Sequence, residues 1–343
     1  MKGAGYVFIT PPFDGPPTGG TLFNARLVAA LSMGGAVVIR HGLEDGRRAL
    51  ADGRPGAFFI DSLFLGEFAA LASSVIPGQS VGLLAHYLPS LVAHGDAWRP
   101  SDSTPVERAA LEAASGIVVP SAWLAGVLES VGVRKSRIHV VEPGVEGEMP
   151  TAAREFAREA APLAALLVGN VVPGKGIAPF LEALATELGA VPRAFVLVIV
   201  GSLEQDPEYA ALCRRVVRAH PALRDAVVFT SALRPAQVLR AIAEADVFVS
   251  ASRMESYGMA LAEARALGVP LVARRGGNVE AHVEAAFGGE LFRDDQGLAA
   301  GLIRLSRDRA ELERRRALAL SGVRRRAWKD AALDFLRATS SVP

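Results

Sequence analysis

Two carboxylates eight residues apart, Glu255 and Glu263, are the residues whose types and spacing first suggest chemistry. The apolar run at 247–249 predicts a buried strand before them, and 259–267, rich in Ala, Leu and Glu, predicts a helix. The small polar residues in between predict a loop at the carboxyl edge of a parallel sheet, where open α/β sheets bind ligands. Glu255 then belongs to the loop, and Glu263 lies about a turn and a half into the helix.

Between the two acids the chain reads Ser256-Tyr257-Gly258-Met259. The backbone amides of 257–259 would point out of the start of the helix, where the helix dipole favours anions and a glycine allows close approach. The segment would offer a carboxylate, a phosphate seat and a second carboxylate, which suits a sugar, a diphosphate and a ribose. The alternative is that both acids are solvated charges at the end of a helix.

The segment ESYGMALAEARALGVPLVA, which contains both acids, resembles the acidic motif of the retaining glycosyltransferases of family 4. These are group 1 glycosyltransferases with the GT-B fold. The resemblance implies an α/β chain with two Rossmann-like parallel-sheet domains facing a cleft and a C-terminal helix that crosses back to the first domain. It also implies that Glu255 contacts hydroxyls of the donor sugar and that Glu263 holds the nucleotide ribose.

A second match lies at 169–176, GNVVPGKG, after a predicted strand. The family has Gly-Arg in the first two places and Lys-Gly in the last two. The resemblance implies that Lys175 neutralises the departing diphosphate, whose growing charge a fixed cation stabilises. Asn170 stands in place of the arginine and brings no charge, so either activity is lowered or a cation from elsewhere compensates. The candidates are Arg253, Arg274 and Arg275.

Gly19 and Gly20 follow the first predicted strand, in a loop that ends before a helix predicted at about 22–32. Family 4 enzymes carry a similar glycine pair after their first strand, facing the donor phosphates or the acceptor. The resemblance extends this role to Gly19 and Gly20, and Asn24 fits the same pattern. The alternative for the glycine pair is a plain tight turn.

His86 comes directly after the predicted strand at 81–85, at the ligand edge of the sheet. The resemblance places this histidine near the donor sugar and the reaction centre, without requiring it to be a general base. Asp61 ends the predicted strand at 57–60 and could also face the cleft. The alternative for His86 is a loop hydrogen bond with no role in chemistry.

The remaining predictions concern loops. The polar, glycine-rich segment at 41–56 predicts a loop, and so does the segment at 92–104, which could line an acceptor pocket. The resemblance implies that Ser231 and Ala232 touch the base through backbone atoms. It also implies a glycine turn at 276–278, for which a hairpin-like turn is the alternative.

Length and composition predict two domains with large cores: 343 residues, 50% of them hydrophobic and 21% charged. We predict an acceptor-side domain at 1–150, a linker at 146–162, a nucleotide-sugar-binding domain at 163–322 and a terminal helix at 323–343. The single cysteine, Cys213, excludes an internal disulfide and suits a reducing compartment. With no signal peptide or membrane-spanning run in the sequence, a cytoplasmic location is expected.

The net charge of +1 argues against nucleic acid as a partner. The stretch 301–337, however, holds 11 Lys and Arg against 5 Asp and Glu. Such a basic stripe can lie peripherally on an anionic membrane surface, and the alternative is a solvated helix face. No cluster of His, Cys and carboxylates has the spacing of metal ligands, so neither a metal nor a cofactor is expected.

These observations lead to the hypothesis of a retaining, metal-independent glycosyltransferase of the hexosyltransferase type. It would move a sugar from a nucleotide-diphosphate sugar to an acceptor hydroxyl on a lipid, a polysaccharide or a small molecule. One alternative is a nucleotide-sugar-binding subunit without catalytic activity, which Asn170 favours. The other is an epimerase or phosphorylase of the same fold. A dinucleotide oxidoreductase fits less well because no GxGxxG follows the first strand.

Overall fold

Two parallel sheets form the frame of the chain, one in each of two compact units. The first unit comprises Met1–Glu146 and Arg326–Pro343, and the second comprises Gly147–Arg325. The computed structural model describes residues 5–12, 18–145, 162–188 and 195–339. The predicted linker at 146–162 lies outside these ranges except for Pro162.

The described part of the first unit contains six strands: β1 (Tyr6–Ile9), β2 (Val38–His41), β3 (Gly56–Asp61), β4 (Gln79–Leu84), β5 (Ile117–Val119) and β6 (Ile138–Val140). Their order is β2-β1-β3-β4-β5-β6, and all neighbours are parallel. Since both faces of a parallel sheet are covered, most of these strands are short apolar runs. The direction of the chain across the sheet reverses between β1 and β3.

Helices connect these strands and cover the sheet. They are α1 (Gly19–Met33), α2 (Leu43–Ala51), α3 (Leu65–Ser73), α4 (Pro89–His94), α5 (Pro105–Ala113) and α6 (Ala122–Ser130). Two of them begin with an N-cap residue of a type that is recognisable in the sequence. Thr104 accepts a hydrogen bond from the Glu107 amide at the start of α5, and Ser121 accepts one from the Leu124 amide at the start of α6.

Helix α2 corrects the prediction of a loop at 41–56. Its buried residues Gly46, Ala49 and Leu50 follow the i, i+3, i+4 spacing of an amphipathic helix. Gly46 suggests a loop in the sequence, but a Cβ at this position would lie 2.5 Å from Ile9 Cδ1. The glycine therefore serves close packing of α2 on β1, which sequence reasoning could not distinguish from a flexible connection.

The second unit also has six strands in its described part: β7 (Leu163–Val168), β8 (Phe195–Val200), β9 (Val227–Thr230), β10 (Val247–Ser250), β11 (Leu271–Arg274) and β12 (Glu290–Phe292). Their order is β12-β11-β10-β7-β8-β9, again all parallel. Counted from the first strand of the unit, this is the 3-2-1-4-5-6 order of the Rossmann fold. The order reverses between β7 and β10.

The helices of the second unit are α7 (Ile177–Leu188), α8 (Pro207–Ala219), α9 (Pro221–Arg224), α10 (Pro235–Glu244), α11 (Met259–Ala266), α12 (Asp295–Arg307) and α13 (Arg309–Ser321). The sheet lies between two apolar clusters, and successive residues of β7 alternate between them. Leu163, Ala165 and Leu167 belong to one cluster, and Leu166 belongs to the other. This alternation is the period of two expected of a strand covered on both faces.

The last helix, α14 (Trp328–Thr339), packs on the sheet of the first unit, as predicted. The Phe335 ring is fully buried, with ring centroids 4.8 Å from Phe59 and 5.5 Å from Phe8. Val145 forms a parallel bridge with Ala327, which leads into the helix. The C-terminal residues therefore complete the core of the N-terminal half of the chain.

Within the described ranges, no helix has both the length and the apolar character that crossing a lipid bilayer requires.

Candidate active site

Several polar side chains that the sequence singled out lie where the strand order reverses in each sheet. At such a point the loops on either side leave in opposite directions and open a crevice at the carboxyl ends of the strands. In the second unit, the loop after β7 carries Lys175 and the loop after β10 carries Glu255. In the first unit, Asp61 ends β3, and α1 follows β1.

Lys175 and Glu255 form an ion pair in the second unit. Lys175 Nζ lies 2.6 Å from Glu255 Oε1, and Ser252 Oγ donates to the same oxygen at 2.6 Å. The two charged side chains are 28% and 16% exposed, so both remain accessible to a ligand. Among the described residues, Glu255 Oε2 has no hydrogen-bond partner. It is therefore the oxygen that can accept from an incoming hydroxyl.

The loop after β11 holds the backbone of Glu255 in place. The Glu255 amide donates to the Gly276 carbonyl at 3.3 Å, and the Asn278 amide donates to the Glu255 carbonyl at 2.7 Å. Gly277 has φ +63°, and a Cβ there would lie 2.3 Å from the Glu255 carbonyl oxygen. Because β11 pairs in parallel with β12, the hairpin alternative for this glycine turn is wrong.

Helix α11 begins between the two acids. Gly258, with φ +96°, is its N-cap, so the helix starts at Met259. The first amides of a helix have no partner within it, and they therefore point toward any anion at this end. The Tyr257 carbonyl accepts from Asn278 Nδ2 at 2.9 Å and from His282 Nε2 at 2.7 Å. Glu263 lies in the second turn of α11 and is half-buried.

Asn170 links two loops of the second unit. Its Oδ1 accepts a hydrogen bond from the Ser202 amide at 3.1 Å, which ties the loop after β7 to the loop after β8. Ser231 and Ala232 lie on the exposed loop after β9, two strands away from β7 in the sheet. Ser231 and Ala232 therefore lie on a different loop of the sheet edge from Lys175 and Glu255.

The three candidate replacements for the missing arginine have different surroundings. Arg274 is buried and lies 3.8 Å from an oxygen of Asp295, whereas Arg275 is exposed and pairs with Glu280 at 2.9 Å. Arg253 is exposed, and its amide donates to the Gly174 carbonyl at 3.0 Å, next to Lys175. In the described part of the chain, the Arg253 guanidinium has no carboxylate partner.

The first unit contains a buried polar cluster of Asn24, Asp61 and His86. Asp61 is fully buried, and its Oδ1 accepts from the Leu63 amide at 2.7 Å. Its Oδ2 accepts from Asn24 Nδ2 and lies 3.5 Å from His86 Nε2. Asn24 Oδ1 lies 2.9 Å from the same ring nitrogen. Sequence reasoning noted each of these residues separately but could not join them.

Gly19 and Gly20, predicted in a loop, form the first turn of α1 instead. Thr18 caps the helix: its Oγ1 accepts from the Thr21 amide at 3.2 Å, and Thr21 Oγ1 accepts from the Thr18 amide at 2.8 Å. A Cβ at Gly20 would lie 3.0 Å from His86 Cδ2. Gly20 thus makes room for the imidazole.

The loop predicted to line an acceptor pocket folds on itself. Trp98 Nε1 donates to Ser90 Oγ at 3.0 Å, and His94 Nδ1 donates to the Ser90 carbonyl at 3.0 Å. Both side chains therefore secure the end of α4.

The basic stripe at 301–337 is largely engaged in ion pairs inside the protein. Arg315 pairs with Glu290 at 2.6 Å and with Glu311 at 2.7 Å, and Arg316 lies 3.2 Å from buried Asp246. These arginines fasten α13 to the sheet of the second unit, which limits the charge they can offer to a membrane surface.

Ser252 and His282 are site residues that sequence reasoning missed, and Asn278 was predicted only as part of the glycine turn. Ser252 follows β10 and precedes Glu255 by three residues, a position at the carboxyl end of a strand that could have marked it. Asn278 and His282 are four residues apart after the glycine pair. Within the described residues, no three His, Cys, Asp or Glu side chains gather in a way that could hold a metal ion.

The sheet orders define an α/β protein with the GT-B fold, built from two Rossmann-like units. Residues 163–308 match the family model described as Glycosyl transferases group 1. This match confirms the resemblance to the group 1 glycosyltransferases and places it in the unit that contains the Lys175–Glu255 pair.

Curated relatives match at moderate identity. The D-inositol 3-phosphate glycosyltransferase of Acidothermus cellulolyticus is 30% identical over 250 residues, which are 64% of this chain and 55% of the relative. A protein of the same name from Corynebacterium urealyticum is 28% identical over 269 residues, 74% of this chain and 62% of the relative. The chain thus spans little more than half the length of these relatives.

Solved structures match over nearly the whole chain. HepE from Anabaena, in complex with UDP and glucose, has a TM-score of 0.75 at 16% identity, covering 99% of this chain and 100% of that one. Sucrose-phosphate synthase from Thermosynechococcus elongatus has a TM-score of 0.73 at 20% identity, covering 99% of both chains. At these identities the likeness shows the fold.

Proposed function

We propose that the chain is a retaining glycosyltransferase that moves a sugar from a nucleotide-diphosphate sugar to an acceptor hydroxyl. The observation that carries the proposal is the pair of Lys175 and Glu255, 2.6 Å apart on the two loops that flank the strand-order reversal of the second sheet. A cation for phosphate and a carboxylate for hydroxyls stand side by side there, close to the start of α11.

Each group has a role that its chemistry suits. Lys175 and the first amides of α11 bind the diphosphate and stabilise the charge that grows on it as it leaves. Glu255 accepts hydrogen bonds from hydroxyls of the transferred sugar. Glu263, in the second turn of α11, accepts from the ribose hydroxyls. The acceptor oxygen attacks the anomeric carbon on the face from which the diphosphate departs, so the configuration is retained.

The names of similar proteins support this donor class. The Anabaena protein HepE has been crystallised with UDP-glucose, and the curated relatives are named glycosyltransferases. A metal-independent reaction follows from the proposal, because a lysine and backbone amides supply the positive charge. The acceptor is defined only as a hydroxyl compound, which can be a lipid, a polysaccharide or a small molecule.

The position of Asn170 favours a second candidate, a nucleotide-sugar-binding subunit without turnover. Its amide is bonded to Ser202 and adds no charge to the diphosphate site. Donor binding without sugar transfer or donor hydrolysis would support this candidate.

A thermal-shift screen against a panel of nucleotide sugars tests the donor site directly. We expect one or more of them to raise the Tm of the wild-type protein, because a ligand that binds only the folded state stabilises it. The shift should be lost in Glu263→Ala and kept in the matched control Glu280→Ala, whose carboxylate is exposed and pairs with Arg275. A panel in which no nucleotide sugar raises Tm would contradict the proposed site.

Turnover tests the role of Lys175. We expect Lys175→Ala to lower kcat by about a hundredfold, the usual loss when one stabilising donor is removed from a developing anion. The measurement is steady-state transfer of the sugar with the donor found in the screen. Wild-type kcat in Lys175→Ala would remove the lysine from the mechanism.

Location and membrane contact rest on the sequence alone. A cytoplasmic location and contact of the basic stripe with an anionic membrane therefore stay predictions. Sedimentation with vesicles that contain or lack anionic lipid tests the contact, and equal sedimentation with both would exclude it.

A further inference from the structure

The buried Asp61 carboxylate sets the hydrogen-bond directions of its cluster. Burial alone would raise the pKa of Asp61. The N–H of His86, whose Nε2 lies 3.5 Å from Asp61 Oδ2, together with the hydrogen bonds from the Leu63 amide and Asn24, outweighs this effect and holds the pKa below its ordinary value. The group is therefore an ionised carboxylate at neutral pH, and an ionised carboxylate can only accept hydrogen bonds.

This acceptor decides how the Asn24 amide is turned. Only Nδ2 of Asn24 can donate to Asp61 Oδ2, so Oδ1 must face the other way, toward His86 Nε2 at 2.9 Å. Oδ1 is itself an acceptor, and it bonds the ring only if Nε2 carries a proton. The ionised carboxylate of Asp61 therefore fixes the orientation of the Asn24 amide, and this amide in turn fixes which nitrogen of His86 carries the proton.

The ring has little freedom to escape this arrangement. The His86 side chain is 9% exposed, and its ring lies against Phe23 with centroids 5.1 Å apart and planes at 67°. Gly20 has no side chain, and α1 can therefore approach the imidazole of His86 closely. Among the described residues, Nδ1 of His86 has no hydrogen-bond partner.

We propose that Asp61 and Asn24 are positioning residues that lock His86 in the Nε2–H form and so present Nδ1 as a hydrogen-bond acceptor. Nδ1 then accepts from a hydroxyl of a substrate bound at the carboxyl edge of the first sheet, and this part rests on the proposed function. The inference assigns a role to a carboxylate that never touches the substrate. Asp61 acts by determining which nitrogen of the His86 ring is unprotonated.

Long-range ¹H–¹⁵N correlation spectra of protein labelled with ¹⁵N-histidine test the lock without any substrate. The signals of His86 are assigned by their absence in His86→Asn. We expect wild-type His86 to show a protonated Nε2 and an unprotonated Nδ1. In Asp61→Asn, the new amide can donate to Asn24, which then turns Nδ2 toward the ring and shifts the proton to Nδ1.

Asn24→Ala provides a second variant in case Asp61→Asn does not fold, which circular dichroism reports. Without the Asn24 carbonyl, Nε2 loses its close acceptor, and we expect a mixture of the two forms. A protonated Nδ1 in the neutral ring of the wild type would overturn the proposal. So would a His86 spectrum unchanged in both variants.

Kinetics separate the positioning role from a structural one. We expect Asp61→Asn to lower kcat/KM by roughly tenfold to a hundredfold, the range for one hydrogen bond to a charged or reacting group. In the His86→Asn background, Asp61→Asn should cause no further loss, because it acts through the ring. Additive losses would overturn the positioning role. If the spectra show the lock but no sugar transfer is found, the proposed function fails while the lock stands.

Discussion

At the scale of single residues, the Lys175–Glu255 ion pair raises the question of which positive charge balances a bound diphosphate. Lys175 and Glu255 neutralise each other, and Asn170 contributes no charge at the place where the motif that this segment resembles has an arginine. At the proposed diphosphate site, a further cation would add to the positive charge that Lys175 and the first amides of α11 supply. Arg253 has no carboxylate partner in the described part of the chain, and its backbone is bonded to Gly174. We infer that Arg253 takes over the role of the missing arginine.

Replacing Arg253 tests this inference. We expect Arg253→Ala to weaken binding of the nucleoside diphosphate roughly tenfold, as loss of one charge-assisted contact should. Isothermal titration calorimetry measures the change. The matched control is Arg275→Ala, because Arg275 is also exposed but pairs with Glu280. Equal effects of the two substitutions would show that only overall charge matters.

At the scale of elements, the turn after β11 holds the loop that carries Glu255. Gly277 has a positive φ of +63°, and a Cβ at this position would lie 2.3 Å from the Glu255 carbonyl oxygen. We expect Gly277→Ala to lower the free energy of unfolding by about 2–5 kcal/mol, through backbone strain and overpacking together. Urea unfolding measures the change, and the thermal shift with donor should disappear as well.

Gly132 provides the control for strain alone. Its φ is +93°, but nothing lies within 4 Å of a Cβ placed there. We expect Gly132→Ala to cost only the left-handed strain, about 1–2 kcal/mol, and to leave donor binding unchanged. Equal costs in Gly277→Ala and Gly132→Ala would mean that the turn after β11 can move away from Glu255.

His282, which donates to the Tyr257 carbonyl before α11, makes the stability of the second unit sensitive to pH. Burial lowers the pKa of His282 against the opposing effect of its hydrogen bond to the Tyr257 carbonyl. The unfolded chain therefore binds the proton more readily than the folded one. The contribution of His282 to the free energy of unfolding should be constant above the ordinary histidine pKa of about 6.5 and should fall as pH decreases below it.

Urea unfolding at pH 7.5 and 5.5 measures this effect, with each variant compared with the wild type. In His282→Gln the decrease between the two pH values should be smaller, since the titrating group is gone. His220→Gln, which alters an exposed histidine of the same unit, should keep the wild-type decrease. A decrease of unchanged size in His282→Gln would contradict the prediction.

At the scale of the whole molecule, the two ends of the chain share one core through α14. Phe335 is fully buried against the first sheet, whereas Leu333 on the same helix is 48% exposed. We expect Phe335→Ala to destabilise the first unit by about 3–5 kcal/mol and Leu333→Ala to change stability by no more than about 0.5 kcal/mol. Calorimetric unfolding of the full chain measures both. Similar effects of the two substitutions would show that α14 is dispensable for this core.

Much of the framework was predictable from local patterns. The apolar runs predicted as strands at 247–249 and 57–60 lie within β10 and β3. Helix α2 was not predictable, because Gly46 suggests a loop unless the packing on Ile9 is known. The first turn of α1 was missed for a similar reason, since Gly19 and Gly20 are poor helix formers that only the Thr18 cap and His86 explain.

Local sequence patterns were enough to define the elements and the chemical groups: apolar runs form the strands, and the acids, the lysine and the histidine follow them at the ligand edge. Only the tertiary structure decided which groups meet, because contacts such as Lys175 with Glu255 and Asn24 with His86 join residues 80 and 62 positions apart. Strand order brings such loops together. The orientation of an amide or an imidazole then depends on its neighbours in space, which no local pattern records.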